Sequence, residues 1–397
     1  MRSGARPTLR VGIAGLGQAG SAIVPAMLRH PHAAVTAVAD PRPELVEAFA
    51  RDHDVARHAG VESLCASADV DLVYVGTPTQ LHATHAQMAA AHGKHVIVEK
   101  PMALSLAEAD AMTAEAERRG VHLIVGHSQS FEPPIRAMRE LVQGGSLGRM
   151  TMAHTWFYGD WLYRPRTPAE LDTSRGGGVV FRQGAHQADI LRWIGGGMVR
   201  SVRAVTGAWD PARPAEGNHT IFLDFADGAA ATAVYSGYDH LPGRELTFGI
   251  GEDGRRARTS VPGRARAALI AAAGDGEVVL KRALGFGGRR RAAPRVRRQA
   301  SFYGLTVVSC EGGDIRQVPG GLRVYGDSGS WDVPIPPTPT GRDLLLDEAY
   351  EAVANSRTPA HGGAWGKANL EVCLAALESA RTRREVLLAH QVPTPDA

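Results

Sequence analysis

Val11–Met27, VGIAGLGQAGSAIVPAM, carries the pattern G-x-G-x-x-G as Gly15, Gly17 and Gly20. The run that leads into it, LRVGIAGLG, is short, apolar and ends in glycines, as a buried parallel strand entering a tight turn should be. QAGSAIVPAMLRHP then predicts a helix with Ala22, Ile23, Ala26 and Met27 on one face and a stop at Pro31. Pro25 would weaken a helix interior, and its accommodation is expected in the first turns. The next strand, AAVTAVAD, ends on Asp40, at the spacing from Gly20 that a dinucleotide-binding βαβ unit uses. In such a unit Gly15 allows the turn, Gly17 admits the pyrophosphate to the backbone, and Gly20 lets helix pack on strand. Leu16, Gln18 and Ala19 complete the turn, whose free N–H groups face the phosphates, and Asp40 accepts from the ribose hydroxyls. An acid at that position repels a 2′-phosphate and favours NAD. Arg42, two residues on, could hold that phosphate, so NADP stays open.

Further strand and helix patterns follow in alternation: DLVYVGTP, HATHAQMAAAHG, KHVIVEKP, a helix from Ser105 towards Arg119, and VHLIVGH. This alternation predicts a doubly wound parallel sheet, a Rossmann domain over residues 1–127. GTPTQLH, with Thr77, Pro78, Thr79 and His82, lies at the carboxyl end of its strand, the edge at which such sheets bind ligands. EKP places Glu99 and Lys100 at the same edge, and all six are expected to line the coenzyme site. His82, His85, His92 and His95 crowd together, but no carboxylate or cysteine joins them in a metal-ligand pattern. They are expected as surface histidines on an amphipathic helix, with His82 facing the coenzyme, and no metal is expected.

From about Ser128 the pattern changes to α+β. FEPPIRAMRELVQGGSLG predicts a helix with a glycine stop. GGGVVFRQGAHQADILRWIGGG predicts a glycine hinge and a helix whose first turns carry Arg182, Gln183 and His186. VRSVRAVTGAW, HTIFLDFADGAAATAVYSGY, RELTFGIG and GLRVYGDSGSWDVPI read as strands without intervening helices, hence a large open, mostly antiparallel sheet over residues 128–340. Residues 281–299 are dense in arginine and lack an aromatic platform, so a solvated or partly mobile loop of this second domain is expected. After the stiff connector PIPPTPTGRD, two helical patterns within residues 341–397 are expected to pack back on the domains.

The bulk properties narrow the functional classes. A chain of 397 residues exceeds what one core sustains, and 44% hydrophobic with 21% charged content is ordinary for a globular protein. A net charge of +3 argues against nucleic acid or a membrane surface as partner. Cys65, Cys310 and Cys373 are scattered, with no C-x-x-C pair, and no signal-peptide or membrane-spanning run is present. The expected location is the cytoplasm.

GLGQAG, GTPTQLH, VIVEKPMALSLAEAD and GGG…GAHQADILRW together resemble the glucose-fructose oxidoreductase / inositol dehydrogenase / MocA family. The resemblance implies an N-terminal Rossmann domain, a C-terminal domain whose sheet forms a homodimer or homotetramer interface, and NAD(P)-dependent alcohol oxidation or carbonyl reduction. It makes Lys100 and His186 the expected catalytic pair. An ammonium stabilises a developing alkoxide, and imidazole accepts a proton near neutral pH. A narrower resemblance, through YRPR, LDTSRGGGVVFRQGAHQADILRWIGGG, VRSVRAVTGAWDPARPAEG and ELTFGIGE, is to phthalate dihydrodiol dehydrogenases, the 4,5-cis-dihydrodiol enzymes in particular. Polyol dehydrogenases of the family often carry aspartate four residues before the histidine, where this chain has Arg182. That change points to an anionic small-molecule diol, with Arg182, Gln183, His186, Arg164 and Arg166 at the substrate. A sugar or cyclitol dehydrogenase, or a glycosidase relative that retains NAD, is the alternative.

Overall fold

The computed structural model describes residues 8–257, 261–272, 276–288 and 298–395. The chain divides into two compact units. The first gathers Met1–Gly126, Val279–Arg291 and Arg342–Lys367; the second gathers His127–Val278, Ala292–Gly341 and Ala368–Ala397.

The first unit is built on six parallel strands: β1 (Leu9–Ala14), β2 (Ala33–Ala39), β3 (Ala56–His58), β4 (Leu72–Val75), β5 (His95–Val98) and β6 (Leu123–Val125), in the order β3-β2-β1-β4-β5-β6. β4, β5 and β6 are apolar and buried along their length apart from His95, because helices cover both faces of a doubly wound sheet. Those helices are α1 (Gln18–Met27), α2 (Pro43–His53), α3 (Val61–Cys65), α4 (His82–Ala91) and α5 (Leu106–Arg119). Ser105 starts α5 with a capping box: its hydroxyl accepts from the Glu108 N–H at 3.2 Å and Glu108 accepts in return from the Ser105 N–H. α1 ends at Met27, short of Pro31, and Pro25 lies in its last turn instead of its first. There the proline forgoes the bond that an N–H at this position would donate to the Ser21 carbonyl, so the tolerance of a first turn does not apply.

The second unit is built on a nine-stranded sheet: β7 (Met150–Tyr158), β8 (Val199–Gly207), β9 (Asn218–Phe225), β10 (Ala230–Ser236), β11 (Leu305–Cys310), β12 (Gly313–Val318), β13 (Gly321–Gly326), β14 (Gly329–Pro334) and β15 (Val386–Leu387). Their order is β14-β13-β12-β11-β7-β10-β9-β8-β15. Only β7 and β10 pair in parallel, and they lie side by side at the centre. α6 (Pro133–Gln143) and α7 (Ala185–Ile194) cover one face. The opposite face leaves Met152, Trp156, Phe222 and Val205 exposed. α8 (Arg264–Ala271) and α9 (Gly276–Arg282) precede β11, and α10 (Gly341–Asn355) and α11 (Gly363–Thr382) follow β14. RELTFGIG, expected as a strand, is a 3₁₀ turn over Gly243–Thr247 followed by Phe248 at φ 57°. The Thr247 hydroxyl donates to the Ile250 carbonyl at 2.6 Å and closes the turn. The basic tract begins in the last turn of α9 and runs on through turns to Gly288; residues 289–297 lie outside the described residues.

α7 is fastened to the sheet by one amide. Gln187 donates from Nε2 to the carbonyls of Thr155 on β7 and Val234 on β10, at 3.1 and 3.0 Å. Its Oε1 therefore accepts from His219 Nε2 on β9, at 2.7 Å. This fixes the neutral tautomer, and the fully buried ring has its pKa pushed down to about 3 by desolvation. Below the ordinary histidine pKa the unfolded chain therefore binds a proton that the folded chain refuses, so stability falls as pH drops from about 6.5 towards 3. Urea unfolding is expected to show about 2 kcal/mol lost at pH 5 through His219 alone. His219→Gln is expected to flatten that slope, and the His219 ring resonances should not titrate above pH 5.

Candidate functional site

The β1–α1 turn has the shape that dinucleotide binding requires. Gly15 has φ 97°. A Cβ on Gly20 would lie 1.9 Å from the Gly15 carbonyl oxygen, so only glycine lets α1 start there. A Cβ on Gly17 would meet nothing within 4 Å, which leaves its backbone open to a ligand. No side chain caps α1 at Gly17, so the N–H groups of Gln18 and Ala19 begin an uncapped helix beside that space. The neighbouring β4–α4 loop is close. A Cβ on Gly15 would sit 2.8 Å from the Gly76 oxygen and 3.2 Å from the Thr77 nitrogen. This is the point where strand order reverses between β1 and β4, the usual ligand crevice of such sheets.

Asp40 is buried beside this turn. It accepts from the Leu16 N–H at 2.7 Å, from the Arg42 N–H at 3.0 Å, and from the Arg42 guanidinium at 2.8 and 2.9 Å. Burial works against its charge, but Arg42 and the two N–H groups outweigh it and hold the carboxyl below its ordinary pKa. Arg42 thus spends its fork on Asp40 instead of presenting it to a 2′-phosphate.

At the carboxyl edges of β4 and β5, His82 is buried, not on the surface. Its Nδ1 lies 2.9 Å from the Pro101 carbonyl and its Nε2 2.9 Å from the Thr77 carbonyl, so it ties the two loops together. Thr77 Oγ1 meets His85 Nδ1 at 3.0 Å, Pro78 precedes a 3₁₀ turn at Thr79–Leu81, and Thr79 is buried. Glu99 accepts from the Tyr74 hydroxyl at 2.5 Å and from the Lys100 N–H at 3.3 Å, while Lys100 itself is half-buried. Among the described residues no cluster of histidine, cysteine and carboxylate could hold a metal.

The second unit brings two of the expected substrate residues, Arg166 and Arg182, to one carboxylate. Glu170, buried, accepts from Arg166 at 3.2 Å, from Arg182 at 3.3 Å, and from the Thr167 N–H at 2.8 Å in a capping box. Arg166 is enclosed: its Nε donates to the Trp161 carbonyl at 2.9 Å and its guanidinium lies 4.1 Å from the Trp161 ring centroid. Burial, with help from Arg164 and Arg182, pulls its pKa down to about 10 against the pull of Glu170. Arg166 is therefore a support for Glu170, and the expectation that it touches substrate is revised. Arg182 keeps a quarter of its side chain exposed. Arg164 pairs with Asp160 at 2.6 Å and lines a cavity of about 620 Å³ with Phe157, Asp239, Arg244, Glu252 and Phe302.

His186 begins α7 one turn after Arg182. The preceding turn, Val180–Gly184, is a π-helix, which the sequence did not signal. The glycine triplet exists for this start: a Cβ on Gly178 would fall 2.0 Å from Glu216 Oε1, and Glu216 accepts from the Val180 N–H at 3.2 Å. His186 is buried with its ring centroid 5.2 Å from that of Tyr303. The Tyr303 hydroxyl donates to Gln183 Oε1 at 2.7 Å, and burial raises its pKa well above normal, so it stays a donor. Glu170, Glu216 and Tyr303 were missed from sequence. Thr167–Glu170 has the spacing of a cap and was readable as one; the other two act across long sequence separations that leave no local pattern.

Two family profiles match, described as "Oxidoreductase family, NAD-binding Rossmann fold" over residues 9–127 and "GFO/IDH/MocA C-terminal domain" over residues 135–255. The chain belongs to the Gfo/Idh/MocA family. Along 94% of its length this Gfo/Idh/MocA protein is 38% identical to the 1-carboxy-3-chloro-3,4-dihydroxycyclo hexa-1,5-diene dehydrogenase of Comamonas testosteroni, covering 95% of that protein. It is 41% identical to a protein of solved structure from Bordetella bronchiseptica RB50, described as a dehydrogenase with no substrate stated, at a TM-score of 0.91 over 96% of this chain and all of that one. An Agrobacterium radiobacter oxidoreductase solved with NAD+, L-tartaric acid and magnesium shares the fold at 20% identity and TM-score 0.69, over 96% of this chain and 98% of that one. The protein is thus an oxidoreductase whose first unit is an NAD-binding Rossmann fold. No described helix is long and apolar enough to cross a membrane. Gly17→Val is expected to weaken NADH binding at least about 10-fold in a fluorescence titration, because the branched side chain fills the ligand's space. The melting temperature should hardly move, since a Cβ at Gly17 meets nothing within 4 Å.

Proposed function

We propose that this protein oxidises a carboxylated cis-dihydrodiol, of the phthalate 4,5-cis-dihydrodiol type, to the dihydroxy aromatic acid with NAD as acceptor. The observation that carries the proposal is the pair of arginines at Glu170. Arg166 and Arg182 both bond that carboxylate, and the more accessible one, Arg182, stands one helical turn before His186. A partly exposed guanidinium at that place suits an acid group on the substrate. The carboxylated ring diene in the name of the Comamonas relative supports the same class. Bound NAD supplies the hydride acceptor. His186 takes the hydroxyl proton, and Lys100, on the coenzyme-binding unit, stabilises the alkoxide as it forms. Gln183, held by Tyr303, positions the turn that carries Arg182. Arg164 offers a second cationic contact from the cavity wall. Loss of hydride and proton leaves a ketone whose tautomerisation to a catechol draws the reaction forward.

The exposed Met152, Trp156, Phe222 and Val205 belong to a continuous sheet face, where Trp156 neighbours Leu305 and Val234 in register and Phe222 neighbours Thr232. A second copy of this chain is the proposed occupant of that face, giving a homodimer or homotetramer, since the same apolar row repeats on each copy. Three free, buried cysteines accord with a reducing compartment, the cytoplasm.

Arg182→Gln is expected to raise KM for a carboxylated cis-dihydrodiol by about 10- to 100-fold and for the uncarboxylated diol by less than about 3-fold, followed by NADH absorbance. Equal effects on both would remove Arg182 from the substrate. Lys100→Met is expected to lower kcat by about 100-fold or more with little change in KM. Light scattering should find the wild-type protein oligomeric and the Trp156→Glu variant at a smaller mass; a monomeric wild type would refute the interface.

A further inference from the structure

The arginine-rich tract does not begin as a loose loop. Ala283 donates to the Val279 carbonyl, Leu284 to Lys281 and Gly285 to Arg282, so the chain leaves α9 through a succession of tight turns. Those turns end against the coenzyme-binding turn of the same unit. The Phe286 N–H donates to the Leu16 carbonyl at 3.1 Å. A Cβ on Gly285 would stand 3.0 Å from that oxygen and 3.6 Å from the Gly17 Cα, so the main chain of Gly285 lies almost on the turn. The Phe286 ring packs edge-on against Phe49 of α2, with centroids 4.8 Å apart, and lies 6.0 Å from His53. Gly287, at φ 75°, carries the chain past Leu45 at the start of α2.

We propose that Ala283–Gly288 is a coenzyme strap: a segment fastened to the rim of the glycine turn that holds the adenosine-diphosphate half of a bound dinucleotide and slows its release. Three features carry it. The strap is bonded to Leu16, next to Gly17, yet leaves open the space that a Gly17 Cβ would fill, where the pyrophosphate must approach. Its anchor residues, Leu16 on one side and Leu45 and Phe49 on the other, flank the Asp40–Arg42 ribose-binding corner. Lys281 and Arg282, in the last turn of α9, add positive charge just before the strap, and a dinucleotide pyrophosphate is an anion. The Leu16 carbonyl is shared between the strap and the Ser21 hydroxyl, at 3.1 Å each, so a movement of the glycine turn on binding is felt directly at Phe286.

The test uses the intact protein. In hydrogen–deuterium exchange on the wild type, NADH and ADP-ribose are each expected to slow exchange at Ala283–Gly288 by about 10-fold, while nicotinamide mononucleotide leaves it unchanged. Phe286→Ala is expected to raise the dissociation constant for NADH by about 10-fold, chiefly through faster release in stopped-flow fluorescence. Exchange in the strap that is indifferent to NADH and ADP-ribose would overturn the proposal whatever the variant does. So would a folded Phe286→Ala protein that binds NADH as tightly as the wild type, or more tightly.

Discussion

A single steric constraint underlies the coenzyme half of this molecule: the main chain of Gly20 lies against the Gly15 carbonyl at a distance no side-chain carbon could share. That contact lets α1 start directly over the end of β1, which leaves its first N–H groups uncapped and aimed into the space above Gly17. The same close packing brings the β4 loop against the turn, since Gly76 in turn lies near the Gly20 backbone. Asp40 is then held beside the turn by the Leu16 N–H. The open space at Gly17 and the seat of Asp40 are thus two results of one close approach.

The second unit solves a different problem, which is to keep several guanidiniums near one another without collapse. Glu170 pairs with Arg166 and Arg182, Glu277 with Arg213, and Asp160 with Arg164. Arg166, which is buried, is supported by Glu170, a main-chain carbonyl and the Trp161 ring. Such burial is costly unless every donor is met, so these partners act as scaffolding. Arg182, with a quarter of its side chain exposed, is more accessible than Arg166 on the same carboxylate. A comparable device holds the carboxyl-terminal tail, where buried Arg192 bonds Asn369 at 2.6 Å and Gln391 at 2.8 Å.

The β-α alternation of the first unit was legible because each signal is local: an apolar run, a glycine turn, a capping box, an acid at the end of β2. The second sheet was less so. β7, β11 and β12 were not anticipated. β7 carries Met152 and Trp156 on its exposed face, which spoils the apolar-in, polar-out alternation that marks a strand. RELTFGIG shows that alternation, yet Phe248 turns left-handed and the segment closes on itself. Lys100, His186 and the arginines could be picked out by residue type and resemblance, but their roles could not be ranked. Arg166 and Arg182 look alike in sequence, and both bond Glu170; the carbonyl and ring of Trp161 separate the enclosed guanidinium from the accessible one. His82 was likewise visible as a motif, while the two carbonyls that engage it belong to loops that meet only in the fold.

The parallel pairing of β7 with β10 has an evolutionary corollary. Because these two central strands run the same way, the segments that leave them emerge on one rim. Gly159 donates to the Ser236 carbonyl, Leu162 to Gly237, and Asp239 to Gly159. Both segments border the 620 Å³ cavity. Insertions or deletions in either one could therefore remodel the same cavity while every strand kept its neighbours.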